Sequence, residues 1–216
     1  MLNTMNFITR HLINFFVGFA AFIIAGINLA GAAILLAIPI SIALYYVSNK
    51  LALTIQKGKR SKELGITPSE YSHIEEQIKQ AKQLIQSLSQ QYIRVRSIRS
   101  FKLILEMSKL SKRIVNIVQK NPSKFYAVED FFYAHLPSAV ELTNKYTLLS
   151  NEQVTGTEIH LALEDTRKTL KDLHVTMEDD LKSALASDIE NLRIELDFAK
   201  LSNEKRKERL KIGGEE

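Results

Sequence analysis

Apolar and polar positions change rhythm along the 216-residue chain. From His11 to Asn49 there is no Asp, Glu, Lys or Arg, and Arg10 and Lys50 bracket the run. A bilayer core is about 30 Å thick and takes about 20 helical residues to cross, so this run is too long for one span and suits two short ones. Gly26-Ile27-Asn28-Leu29-Ala30-Gly31 offers a turn. The pattern predicts one helix over Leu12–Ala25 and another over Ala30–Val47. Gly18, Gly26, Gly31 and many alanines permit close helix contact, and Tyr45 and Tyr46 suit an interfacial belt. A signal peptide cleaved at Ala30-Gly31-Ala32 and a single tilted span are the alternatives. The apolar run continues past that cleavage site to Val47, so a transmembrane hairpin over residues 1–49 is favoured.

A helical rhythm replaces the apolar run after Gly65. Thr67 as N-cap, Pro68 at the first helical position and Glu70 two residues later form a capping box. Ile74, Ile78, Ala81, Ile85, Leu88, Tyr92 and Val95 then repeat at 4-3 spacing, a heptad seam. Leu103, Met107, Leu110, Ile114 and Ile117 continue that spacing one residue out of phase, which predicts a stutter between Val95 and Leu103. Asn121-Pro122 should stop the helix. A second stretch, Ser123 to Ser150, has a broad apolar face from Phe125 to Leu149, and Pro137 should kink or split it near Ala134–Leu136. Asn151 to Gly156 reads as a loop. A last helix over Thr157–Leu201 carries a seam that includes Leu163, Leu170, Met177, Leu181, Leu185, Ile189, Leu192 and Leu196. Residues 202–216 read as a charged tail that frays. The expected architecture is all-α: the hairpin at 1–49, a basic juxtamembrane linker at 50–66, an antiparallel coiled-coil-like bundle of long helices at 67–201, then the tail.

Composition narrows the chemistry. The chain has no Cys and only 8 Gly and 4 Pro. Disulfides, thiol nucleophiles and Cys-ligated metals are excluded, and an all-β fold is disfavoured. Lys57, Lys59, Arg60 and Lys62 follow the apolar run with only Glu63 opposing them. This is a positive-inside signal, which puts both termini and the bundle on the cytoplasmic side of the cell membrane. The same four side chains can lie against anionic lipid. Residues 91–124 are strongly basic with Glu106 as the only acid, while residues 125–199 hold fifteen acids against six bases. Intramolecular complementarity accounts for this segregation more simply than nucleic-acid binding, for which no recognition motif exists.

Catalytic signatures are missing. Lys57-Gly58-Lys59-Arg60-Ser61 lacks the upstream glycine and the strand of a phosphate loop, and there is no Gly-x-Ser-x-Gly elbow. His160 with Glu164, and His174 with Glu178, lie one helical turn apart. A di-metal bundle needs two Glu-x-x-His motifs and only Glu70–His73 has that spacing, so a surface pair is the simpler reading and no metal or cofactor is implied. His135, amid Phe131, Phe132 and Pro137, reads as packed rather than catalytic. Arg96, Arg99 and Lys102 form the candidate anion-binding cluster. A buried arginine there would take Asp188 or Glu195 as partner, or else a phosphate or other oxyanion.

Ile98-Arg99-Ser100-Phe101-Lys102 and the run Asn121-Pro122, Phe131-Phe132-Tyr133, Leu136 and Leu142-Thr143-Asn144-Lys145-Tyr146 resemble the XpaC family, as does the order of apolar hairpin, basic helix and acidic last helix. The resemblance covers nearly the whole chain through helix-packing patterns and transfers no catalytic residues. It implies hydrolysis of 5-bromo-4-chloroindolyl phosphate, and it implies as partner a TelA-type toxic-anion-resistance protein, itself long and helical. A phosphatase requires a nucleophile or metal as well as cations, and only the cations are recognisable here. The expected function is therefore a membrane-anchored cytoplasmic helical scaffold, possible as a homo-oligomer; phosphate-ester hydrolysis or phosphate binding is the alternative.

Overall fold

The computed structural model describes residues 4–28, 34–94, 98–151 and 156–212. Every regular element among them is helical: α1 (Thr4–Asn28), α2 (Ile34–Glu63), α3 (Pro68–Arg94), α4 (Ile98–Lys120), a 3₁₀ turn (Pro122–Val128), a π turn (Phe131–His135), α5 (Leu136–Asn151) and α6 (Thr157–Ile212). The chain forms two compact units, Met1–Gln77 with Gln119–Ser123, and Ile78–Val118 with Lys124–Glu216.

In the first unit α1 and α2 form the expected hairpin, but the transmembrane reading meets a limit. Among the described residues no helix is long and apolar enough to cross a membrane. Arg10, His11 and Asn14 occupy the first half of α1, and Ser48, Asn49 and Lys50 interrupt α2 soon after Val47. Nothing in the sequence stops α2 at Val47, so the helix runs 30 residues, with Pro39 inside it, through the basic segment expected to be a linker. It ends where Gly65 takes φ +68°, the left-handed conformation that glycine adopts without a Cβ penalty.

The capping box is made. The Thr67 N–H donates to Glu70 Oε2 at 2.7 Å, and the Glu70 N–H donates to Thr67 Oγ1 at 3.2 Å. Tyr71 and Ile74 are buried within this unit. Burial pushes the Tyr71 phenol upward, helped by Glu75 and opposed by Arg60, and its hydroxyl has no hydrogen-bond partner among the described residues.

The second unit is a helical bundle. Ile78, Ala81, Ile85 and Leu88 of α3 are buried, as the seam requires. On α4 the innermost positions are Ile104, Met107, Ile114, Val115 and Val118, whereas Leu103 and Ile117 are half-buried. Met107, Leu110 and Ile114 are thus buried as expected, while Ile104, Val115 and Val118 widen the inward face to one side of the predicted seam. Ser89 and Ser108 bridge the two helices, with 2.8 Å between hydroxyl oxygens. α4 stops at Lys120, before Asn121-Pro122. Ser100 Oγ donates to the Tyr146 hydroxyl at 2.8 Å, joining α4 to α5. α6 is a single helix of 56 residues. It buries Leu170, Met177, Leu181 and Ala184, then every residue from Ala186 to Lys207 is exposed. The tail predicted to begin at residue 202 is helical to Ile212.

Two substitutions separate the cap from the buried phenol. Thr67→Ala should lower stability by about 1 kcal/mol through the lost cap. Tyr71→Phe should cost nothing, because it removes a buried hydroxyl without breaking a hydrogen bond. Urea denaturation of both variants checks this, and a loss at Tyr71→Phe equal to that at Thr67→Ala would contradict it.

Candidate functional site: a histidine–aspartate pair at a π turn

Pro137 shapes this site. It has no N–H to donate and its ring crowds the carbonyl four residues back, at Tyr133. The chain answers with a wider turn, in which the Leu136 N–H bonds the Phe131 carbonyl five residues back. Such π turns occur often at functional sites. Aromatic packing holds the turn in place: Phe125 and Phe132 lie 4.9 Å apart between ring centroids, and Phe131 meets Phe132 edge-on at 5.1 Å. Burial of Phe125, Phe131, Phe132 and Leu136 anchors the segment.

The turn aims His135 at α6. Its Nδ1 lies 2.7 Å from Asp180 Oδ2, and both side chains are mostly buried. Desolvation pushes the Asp180 carboxyl above the usual range; the hydrogen bond and charge of His135 oppose the shift, and Asp130 and Asp179 add to it. Two turns further along α6, Asp188 accepts from Lys124 Nζ at 2.5 Å. The His135–Asp180 arrangement can hold a proton between ring and carboxylate, and the two contacts pin the 3₁₀ and π turns to one stretch of α6.

Arg96 lies outside the described residues. Arg99 and Lys102 are exposed on α4, and Lys102 is 3.9 Å from Glu106 on the same helix. Asp188, considered as a partner for Arg99, is taken by Lys124. Of the basic cluster on α2, Lys57 pairs with Glu75 at 2.7 Å and Arg60 with Glu63 at 3.0 Å, while Lys59 and Lys62 are exposed. His174 stands 4.0 Å from Glu178. His160 and Glu164 share a cavity of about 200 Å³ with Tyr146, Leu163 and Arg167, and Arg167 is 3.8 Å from Glu164. Among the described residues no group of three His or acidic side chains is placed to hold a metal ion.

Sequence reasoning placed His135 among packed aromatics but missed its partner, which lies 45 positions away. Pro137 following an aromatic-rich turn was the available signal.

Comparisons with known proteins give one consistent result. A family model described as 5-bromo-4-chloroindolyl phosphate hydrolysis protein matches residues 4–199. Protein XpaC of Bacillus subtilis (strain 168) is 38% identical over 140 residues, covering 65% of this chain and 69% of that protein. No solved structure matches.

Asp180→Ala should destabilise by about 1–3 kcal/mol, because it leaves the half-buried His135 nitrogen unpaired. Asp180→Asn should cost less, because an amide oxygen still accepts there. A carboxyl whose folded pKa is raised binds its proton more tightly folded than unfolded. Its contribution therefore declines as pH rises from the ordinary carboxylate range through the raised value. Asp180→Asn should flatten that decline, and denaturant titrations across the acid range measure it.

Proposed function

The chain belongs to the 5-bromo-4-chloroindolyl phosphate hydrolysis protein family, and from that premise we propose that it is a membrane-anchored helical scaffold, its bundle held at the cytoplasmic face of the cell membrane. The observation that carries this reading is the inverted hairpin of α1 and α2. Asn14 is only 1% exposed at the helix contact. It accepts from Ser48 Oγ at 2.6 Å and donates to Asn49 at 3.2 Å, and the His11 ring nitrogen lies 2.6 Å from the Tyr45 hydroxyl. Phe15, Phe16, Phe19, Ile42, Leu44 and Leu51 point outward and are exposed. Water favours the opposite arrangement. Lipid favours this one, because hydrocarbon solvates the outer face while polar groups pair with one another between the helices.

The hairpin enters the bilayer as a unit and returns its basic end to the surface. Lys59, Lys62 and their neighbours then meet anionic headgroups, each worth about 1 kcal/mol near the surface, and the same charges favour the cytoplasmic side. The bundle acts through a helical partner, for which a TelA-type protein is the candidate that the family resemblance supplies.

The second reading, catalysis of 5-bromo-4-chloroindolyl phosphate hydrolysis by this chain, is favoured by the family description. His135–Asp180 would then serve as base and orienter. In the scaffold reading, the hydrolysis that gives the family its description arises from a separate phosphatase whose secretion or environment the scaffold alters.

Flotation with vesicles tests the anchor. The full chain should float with phosphatidylglycerol vesicles, and exchanging Lys57, Lys59, Arg60 and Lys62 for Gln should weaken binding several-fold. Exchanging Phe15, Phe16 and Phe19 for Asn should abolish it. Assay of the purified full chain in detergent tests the chemistry. Absence of turnover of 5-bromo-4-chloroindolyl phosphate, with and without divalent metal, is the expected result. Turnover that scales with protein and disappears in His135→Ala and Asp180→Asn would establish the second reading.

A further inference from the structure

Two surfaces of the bundle are left with unmet chemistry. The first is the distal part of α6. Ile189, Leu192 and Leu196 continue the 4-3 seam but are 48%, 55% and 49% exposed. A 4-3 repeat on a straight helix drifts by about 20° per heptad. That drift is small over the one heptad from Leu181 to Ile189, and every residue from Ala186 to Lys207 is exposed, so the seam is uncovered because α6 runs past its packed stretch. Acids surround the exposed stripe: Asp188, Glu190, Glu195 and Asp197, against Arg193 alone between them. Contiguous apolar surface of this kind marks an interaction site.

The second surface is a groove between α3 and α4. It encloses about 430 Å³ and is lined by Lys82, Ile85, Gln86 and Ser89 of α3 and by Lys112, Val115 and Asn116 of α4. Its floor is apolar, with Ile85 and Val115 buried. Neither Lys82 nor Lys112 has an acidic partner within salt-bridge distance among the described residues. The groove thus pairs an apolar floor with uncompensated positive charge, the complement of an apolar stripe edged with acids.

One chain does not satisfy itself, since α6 is one continuous helix and its distal stripe stays exposed throughout. We propose that residues 188–199 of one copy dock in the α3–α4 groove of a second copy, so that α6 becomes the third helix on that pair. The occupant follows from charge: the acidic apolar helix and the basic apolar groove that fits it lie on the same polypeptide. Leu192 and Leu196 lie against the aliphatic stems of Lys82, Gln86 and Lys112 along the groove, and Glu190 and Glu195 face Lys82 and Lys112. A reciprocal exchange closes a two-fold dimer, in which each copy gives one helix end and receives one. Apolar contact supplies the affinity, and the charged edges set register and partner choice.

Because the native chain has no Cys, cross-linking can be made site-specific. Gln86→Cys is introduced in one tagged full-length copy and Leu192→Cys in another; the two are mixed in detergent and oxidised. A disulfide joining the two tags is expected. Lys82→Glu with Lys112→Glu in the groove copy should abolish it. Glu190→Lys with Glu195→Lys in the other copy should restore it, a rescue that misfolding cannot produce. Absence of the cross-link while circular dichroism reports the native helix content would overturn the proposal. So would a cross-link indifferent to both charge reversals.

Discussion

An α-helix can turn only one stripe toward its neighbours, and the two units of this chain turn opposite kinds of stripe inward. In the bundle the hidden stripe is apolar: Ile78, Ile85 and Leu88 on α3, Met107 and Ile114 on α4, Met177 and Leu181 on α6. In the hairpin the hidden stripe is polar, built on Asn14, and the outward surface is Phe, Ile and Leu. Hydrophobic burial from water explains the first arrangement. It does not explain the second, and that contrast is the observation from which the membrane anchor is proposed.

Within the bundle, proline chemistry and a buried ion pair set the local geometry. Pro137 withdraws a donor, the Leu136 N–H reaches back to Phe131, and the widened turn brings His135 onto Asp180. The cost of burying Asp180 is visible in its raised pKa. A second contact, Lys124 with Asp188, fixes the same stretch of α6. Beyond that point α6 carries an apolar, acidic stripe that no described residue covers. Two polar contacts thus hold the helix just before it leaves its packed stretch, and the distal stripe is available to another surface.

Much of this was legible in the sequence, and the remainder was not for identifiable reasons. The Thr67-Pro68-Glu70 box, the stop at Asn121-Pro122 and the α3 seam from Ile74 to Leu88 depend on short-range chemistry, and each is made as read. Pro137 announced a break but not a π turn, since the choice of a wider turn over a kink depends on packing by Phe125 and on a partner from α6. On α4 the seam was read correctly at Met107, Leu110 and Ile114, and the added burial of Ile104, Val115 and Val118 depends on which helices pack beside it, which spacing does not state. Arg99 and Lys102 were grouped with Arg96 by spacing alone; both are exposed on α4, and Arg96 lies outside the described residues. The basic segment after Val47 read as a linker from its charge, although its residues are good helix formers and nothing before Gly65 ends the helix.

The central claim is that the outward face of the α1–α2 hairpin lies in hydrocarbon. Spin labels on the otherwise cysteine-free chain, at Phe16→Cys, Lys59→Cys and Val175→Cys in reconstituted bilayers, measure this through collision with oxygen and with a water-soluble nickel chelate. The account predicts oxygen access and nickel exclusion at position 16, headgroup depth at 59 and full nickel access at 175. Nickel access at 16 equal to that at 175 would contradict it.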